Sequence, residues 1–99
     1  MAAKNYTFVN SMNLTLEEVR IALTNELERA KNGFRFQRVD EITTDGNTLF
    51  FGFKTKLGTE IKGTLNLAEG TCSCEHPDEA PFIAFILGAI DGILAKIFQ

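Results

Sequence analysis

Residues 81–99 read PFIAFILGAIDGILAKIFQ, and this segment sets what the rest of the chain must provide. Placed on an α-helix, it has one half of its circumference that is wholly large and apolar. Burying one large aliphatic side chain is worth roughly 1.5 to 3 kcal/mol, so a helix with this face needs a covering surface. The upstream chain must therefore supply an apolar wall. The apolar half consists of Phe82, Ile83, Ile86, Leu87, Ile90, Ile93, Leu94, Ile97 and Phe98.

The opposite half of this helix is small or polar, and Phe85 is its one large side chain. Ala84, Gly88 and Gly92 recur there at a spacing of four residues. Small side chains on one helix face let another backbone approach closely. We expect this row to contact either the first helix of the same chain or the same helix of a second subunit about a two-fold axis.

Length and composition exclude several classes of function. A chain of 99 residues is expected to form one domain, over residues 1–99, with a single core. A formal net charge of -3 gives no basic footprint for nucleic acid. The last helix is shorter than the roughly 20 apolar residues that cross a bilayer, so no integral membrane segment is expected. The first residues lack the apolar run of a signal peptide, and a cytoplasmic location is expected.

The clearest local signal in the chain is LTLEEV, which begins at residue 14. Thr15 and Glu18 have the spacing of a capping box, and Leu14 and Val19 have that of a hydrophobic staple. A helix is therefore predicted to start here and to end at Gly33 in a left-handed C-cap. Its apolar stripe is predicted to consist of Leu16, Val19, Leu23, Leu27 and Ala30.

Between the two helices the apolar period changes to two, which is typical of strands. The Asp45-Gly46 pair predicts a tight hairpin turn, and Asp78 is the predicted N-cap of the last helix. The predicted strands are residues 6–9, 34–42, 48–56, 60–67 and 71–75.

Consecutive strands joined by short turns form an antiparallel meander, and its one apolar face must be covered by the helices. The predicted fold class is α+β: a two-layer sandwich with an antiparallel β-meander of four to five strands and two helices packed on one face, in the order β-α-β-β-β-β-α. With NLTLEEVR opening a helix and GTLNL on a strand before a terminal amphipathic helix, this order resembles that of the small proteins of bacterial polyhydroxyalkanoate operons. We take no function from this resemblance in arrangement.

Cys72, Cys74 and His76 are the weak candidates for a metal site. Alternate residues of one strand face the same way, and thiolate with imidazole suits zinc. A structural zinc site uses four protein ligands, however, and Glu75, Asp78 or a second subunit would have to complete this one. The alternative is that both thiols are small core residues, and no metal or cofactor is predicted. Nothing evident orients the imidazole or forms an oxyanion hole, so the protein is not expected to be an enzyme.

The nine phenylalanines are hard to bury in one small core. Phe50 and Phe51 must lie on opposite faces of one strand, so an apolar side chain is expected on the outer wall of the sheet. Phe50, beside Gly52, is predicted either to contact a partner or to shield the glycine backbone of a neighbouring strand.

These observations predict a small cytoplasmic, non-enzymatic protein that acts by protein–protein interaction as a homodimer. Its protein partner is unknown. The alternative is a carrier or binder of an apolar small molecule or a lipid surface, which uses the sheet and the C-terminal helix. The predicted interaction residues are Phe50, Ala84, Gly88 and Gly92.

Overall fold

The helices and strands follow the predicted order, and the computed structural model describes them over residues 1–33 and 35–98. Phe34, predicted to begin the second strand, and Gln99, predicted to end the last helix, lie outside the described residues. The α+β class is confirmed. The elements are β1 (Ala2–Thr7), α1 (Leu16–Asn32), β2 (Phe36–Val39), β3 (Thr43–Asp45), β4 (Thr48–Thr55), β5 (Glu60–Asn66), β6 (Thr71–His76) and α2 (Ile83–Phe98).

The strands form one antiparallel sheet in the order β1-β6-β5-β4-β2, and β3 also pairs with β4. Buried side chains lie in register across it, as in the row Tyr6, Cys72, Leu65 and Leu49. The buried side chains of α1 and α2 join this row in one cluster. Both helices therefore cover the same face of the sheet, as predicted, and the other face is open.

The predicted strand at residues 34–42 is interrupted, and its continuation gives the sheet a sixth strand in the described chain. A β-bulge between Phe36 and Arg38 shifts the register of β2 on β4, and pairing resumes with β3 at Thr43. Between them, the Asp40 N–H donates to the Gly52 carbonyl at 2.9 Å. Val39 pairs with Phe53 and Thr43 with Phe50, so three residues of this segment lie opposite two of β4. This extra residue interrupts the pairing, and one predicted strand becomes two short ones on the same partner.

The predicted hairpin turn is confirmed between β3 and β4. Asp45 and Thr48 are paired, which leaves Gly46 and Asn47 as the two turn residues. Gly46 has a φ of 62°, the left-handed conformation that such two-residue turns require.

The start of α1 has the predicted capping box. The Glu18 N–H donates to Thr15 Oγ1 at 3.1 Å, and the Thr15 N–H donates to Glu18 Oε1 at 2.9 Å. The helix ends at Asn32 as expected, but Gly33 has a φ of -81°, so the predicted left-handed C-cap is wrong. The Gly33 N–H instead donates to the Arg29 carbonyl at 2.9 Å, which closes the last turn.

The apolar face of α2 is confirmed by burial, except at its first residue. The helix begins at Ile83, and Phe82 precedes it with a φ of 56° and an exposed side chain. Asp78 lies five residues before this start, so its predicted role as the N-cap is wrong. Neither helix of the described chain combines the length and apolar character needed to cross a bilayer. The buried residues of α2 are Ile86, Ile90, Leu94, Ile97 and Phe98.

Candidate functional site

The row of small residues on α2 is open to solvent in this chain. Ala84, Gly88 and Gly92 are all exposed. If a Cβ atom were added to Gly88 or to Gly92, no described atom would lie within 4 Å of it, apart from the adjacent residues and the nearby backbone of α2 itself. The first of the two predicted roles for this row, packing against α1, is therefore wrong, and the row forms a flat track on the outer side of the helix.

Phe85 projects from the same side of α2 and is 65% exposed. The guanidinium carbon of Arg35 lies 5.8 Å from the centre of its ring, a cation–π contact worth about 0.5–1 kcal/mol at an exposed site. Beside the flat track runs a groove of about 550 Å³, which has Gly92, Ala30 and Ile93 among its lining residues. The outer side of α2 thus carries a protruding ring and a groove.

A second depression, of about 460 Å³, lies at the start of α2 beside the turn that joins β4 to β5. We call it the aromatic cleft. Leu57 and Phe82 are 62% and 74% exposed, whereas Phe36 and Ile86 are buried. Large apolar side chains thus remain accessible next to buried ones at this end of the molecule. The residues that line the cleft include Arg35, Phe36, Lys56, Leu57, Phe82 and Ile86.

Phe50 lies on the open face of the sheet, between Thr43 of β3 and Thr64 of β5, and is 43% exposed. It is therefore the apolar residue expected on the outer wall.

The glycines near Phe50 are covered by other side chains. A Cβ at Gly52 would lie 2.7 Å from the Asp40 carboxylate, and a Cβ at Gly63 would collide with the ring of Phe51. Asp40 and Phe51 therefore provide the shielding that the sequence suggested for Phe50. Its other predicted role, contact with a partner, remains a hypothesis.

The structure places Cys72, Cys74 and His76 on the helix-covered face, and all three are buried. His76 Nδ1 lies 2.7 Å from the Pro77 carbonyl oxygen. A hydrogen bond with Cys72, and then burial, raises the pKa of the Cys74 thiol above its usual range. Over residues 1–33 and 35–98 there is no group of three His, Cys, Asp or Glu residues that could hold a metal ion. The environment favours packing by a neutral Cys74 thiol.

Tyr6 links the first strand to the last helix, a contact that the sequence analysis missed. Its hydroxyl donates to the Leu87 carbonyl at 2.9 Å. Burial, with a smaller contribution from the negative charge of Asp91, raises the pKa of the phenol above its usual value, which keeps the hydroxyl protonated as a donor. The sequence contained a signal for this contact, because a tyrosine that is buried in a strand usually finds a hydrogen-bond partner.

Comparisons with protein-family models, with curated proteins and with solved structures find no match to this chain. The resemblance to the polyhydroxyalkanoate-operon proteins therefore stays a likeness in the order of elements.

Proposed function

We propose that this protein is a homodimeric, non-enzymatic protein-binding module of the cytoplasm. In this proposal the outer side of α2 forms the dimer contact, and the open sheet face around Phe50 binds a partner protein. The observation that carries the proposal is the open space above Gly88 and Gly92 next to the exposed ring of Phe85.

The outer side of α2 is poorly suited to water in an isolated chain. A glycine in the interior of an exposed helix costs about 1 kcal/mol relative to alanine, and α2 has two of them on the flat track. The exposed ring of Phe85 contributes little apolar burial to the fold. A second helix that packs closely on the glycines and covers the ring would offset both costs.

The spacing of these residues favours an antiparallel pair of α2 helices. Gly92 follows Phe85 by seven residues, which corresponds to about 10 Å along a helix. A two-fold axis midway between them passes beside Gly88 and brings the Phe85 ring of each copy to the groove at Gly92 of the other. Gly88 then lies where the two backbones come closest, and Ala84 lies on the same contact face.

This arrangement places the helices of both copies inside the dimer and the two open sheet faces outside. Among the described residues of each face, Phe50 is the one exposed aromatic ring, and the side chains around it are polar. An apolar anchor within a polar surround has the composition of a protein-binding hot spot, and two copies would allow bivalent binding. The row that crosses the face at Phe50 consists of Asn5, Ser73, Thr64, Phe50 and Thr43.

The state of the cysteines supports the proposed compartment. Cys72 and Cys74 are both free thiols in the buried core. Proteins of the cytoplasm are kept reduced, whereas secreted domains of this size often depend on disulfides.

Sedimentation equilibrium tests the dimer. We expect the wild type to be a dimer and Gly88→Glu to be a monomer with a native circular dichroism spectrum, because the added side chain enters open space in the single chain. Asn25→Glu, at an exposed position of α1, is the matched control and should remain a dimer. A wild type that stays monomeric up to its solubility limit would contradict the proposed dimer.

The partner surface is tested with Phe50→Ser. We expect this variant to fold and to dimerise, and to lose a protein that co-purifies with the wild type from its own cells, as quantified by mass spectrometry. Lys62→Gln, on the same open face, should retain that protein. If the wild type and Phe50→Ser co-purify with the same proteins in the same amounts, Phe50 is not the anchor.

The aromatic cleft favours the alternative function, a carrier of an apolar ligand. The space between the sheet and the middle of α2 is occupied by core side chains such as Phe51, Phe53 and Ile90. The aromatic cleft at the start of α2 is instead open and largely apolar. A bound apolar molecule would therefore lie at the end of the helix rather than beneath it.

A further inference from the structure

Two features of the aromatic cleft have no explanation in the stability of the fold. Phe82 has a φ of 56°, a backbone conformation that residues other than glycine seldom adopt, yet its side chain is largely exposed. Leu57 occupies a turn, where polar residues predominate, and is also largely exposed. Unfavourable backbone conformations that persist in a structure cluster at ligand-binding sites.

The size and the lining of the cleft indicate a small amphipathic ligand. Its volume of about 460 Å³ lies within the roughly 300–1,000 Å³ that is usual for small-molecule sites. The buried side chains of Phe36 and Ile86, together with the exposed side chain of Leu57, provide an apolar wall. An acyl chain would bury its surface against this wall.

The charges of the cleft select the head group of that ligand. Arg35 and Lys56 are its charged lining residues, and both are exposed. The Lys56 N–H donates to the Arg35 carbonyl at 3.4 Å, so the two segments that carry these cations are adjacent. In the described part of the chain neither cation has a carboxylate partner within ion-pair distance. Two neighbouring cations at the edge of an apolar wall fit an anionic group that ends an apolar chain.

We propose that the aromatic cleft binds a free fatty acid. The acyl chain lies along Phe36, Ile86 and the exposed side chains of Leu57 and Phe82, and the carboxylate is held by Arg35 and Lys56. This site adjoins the proposed dimer contact, because Arg35 and Phe36 line both the aromatic cleft and the groove beside the flat track. Phe85 borders both surfaces, so the variants that test the cleft leave Phe85 unchanged.

Isothermal titration calorimetry with monomeric dodecanoate, below its micelle concentration, tests the site. We expect one dodecanoate to bind per chain, and we expect dodecyltrimethylammonium, which has the same chain length and a cationic head, not to bind. The double variant Arg35→Gln/Lys56→Gln should bind dodecanoate about tenfold more weakly, because it loses both charge-assisted hydrogen bonds. The double variant Leu57→Ser/Phe82→Ser should show a similar loss. All four positions are exposed, so circular dichroism should remain native.

Two control variants remove similar groups outside the cleft. Lys62→Gln removes an exposed charge from the open sheet face, and Ile21→Ser removes an exposed apolar side chain from the outer side of α1. Both should bind dodecanoate as the wild type does. Three results would each overturn the proposal: unchanged affinity in both double variants, equal binding of the cationic amphiphile, or binding to phosphatidylglycerol vesicles without binding of monomeric dodecanoate. The last result would identify a membrane-docking surface instead.

Discussion

The two helices cover the same face of the sheet, but their outer sides differ. The outer side of α1 carries charged side chains, including an ion pair between Glu17 and Arg20, and a capping box closes its start. The outer side of α2 carries Gly88, Gly92 and an exposed Phe85. A polar outer side is typical of a helix that faces water, whereas one made of glycine and an aromatic ring is typical of a contact. This difference is the reason for proposing α2, rather than α1, as the dimer contact.

The largest expected effect is at the inner side of α2, where Ile90→Asp places an unpaired charge in the core. We expect a loss of more than about 4 kcal/mol, which would unfold a domain of this size. The matched change on α1, Ile21→Asp, lies at an exposed position and should leave the melting temperature almost unchanged. Far-UV circular dichroism and thermal melting measure both variants. A native melt for Ile90→Asp would show that the inner side of α2 is not core.

A smaller effect is expected at the start of α1. Thr15→Ala removes the side-chain oxygen that accepts from the Glu18 N–H, and should lower the free energy of unfolding by about 1 kcal/mol. Thr15→Ser keeps that oxygen and is the control. Urea denaturation measures both variants, and equal midpoints for Thr15→Ala and wild type would exclude a contribution of the cap to stability.

The flat track should respond in the opposite direction. Gly88→Ala should raise the free energy of unfolding of the monomer by about 0.5–1 kcal/mol, because alanine restricts the unfolded chain and enters open space in the helix. The same variant should weaken the proposed dimer, since its methyl group separates the two backbones. Denaturation of dilute protein and sedimentation of concentrated protein measure the two effects. A destabilised monomer would mean that the track is covered within the chain.

The smallest effect concerns pH and the capping box. Hydrogen bonds with the backbone and side chain of Thr15 lower the pKa of Glu18 below its usual value. A carboxylate with a lowered pKa stabilises the folded state above its unfolded pKa, and that contribution disappears as the pH falls through the folded pKa. Glu18→Gln keeps a capping side chain without the charge. We expect wild type to melt at a higher temperature than Glu18→Gln at neutral pH and at the same temperature in strong acid. A difference independent of pH would contradict this account.

The sequence predicted the features that depend on local spacing. The apolar face of α2, the capping box at Thr15 and the hairpin at Gly46 follow from side-chain period and turn chemistry. The split of the second strand did not follow, because the extra residue between Val39 and Thr43 depends on how this segment pairs with β4 in three dimensions. The start of α2 was placed too early, since Pro81 and Phe82 fit the apolar period of the helix but precede its first turn.

The candidate surfaces were predicted less completely than the fold. The period of α2 identified Ala84, Gly88 and Gly92 as one row, but it contains no information on where α1 packs, so two roles stayed open. The aromatic cleft was missed because Leu57 and Phe82 are distant in sequence and become neighbours through the packing of a turn against a helix start.

The two thiols under the helical layer have a practical consequence. Cys72 and Cys74 are the only cysteines of the chain, and both are buried, so an alkylating reagent finds no accessible sulfur in the native protein. Alkylation must wait until the helices separate from the sheet, and its rate reports how often they do so. The two cysteines therefore report transient opening of the native protein. The mass increase on alkylation measures this opening in a crude extract, and no label has to be attached beforehand.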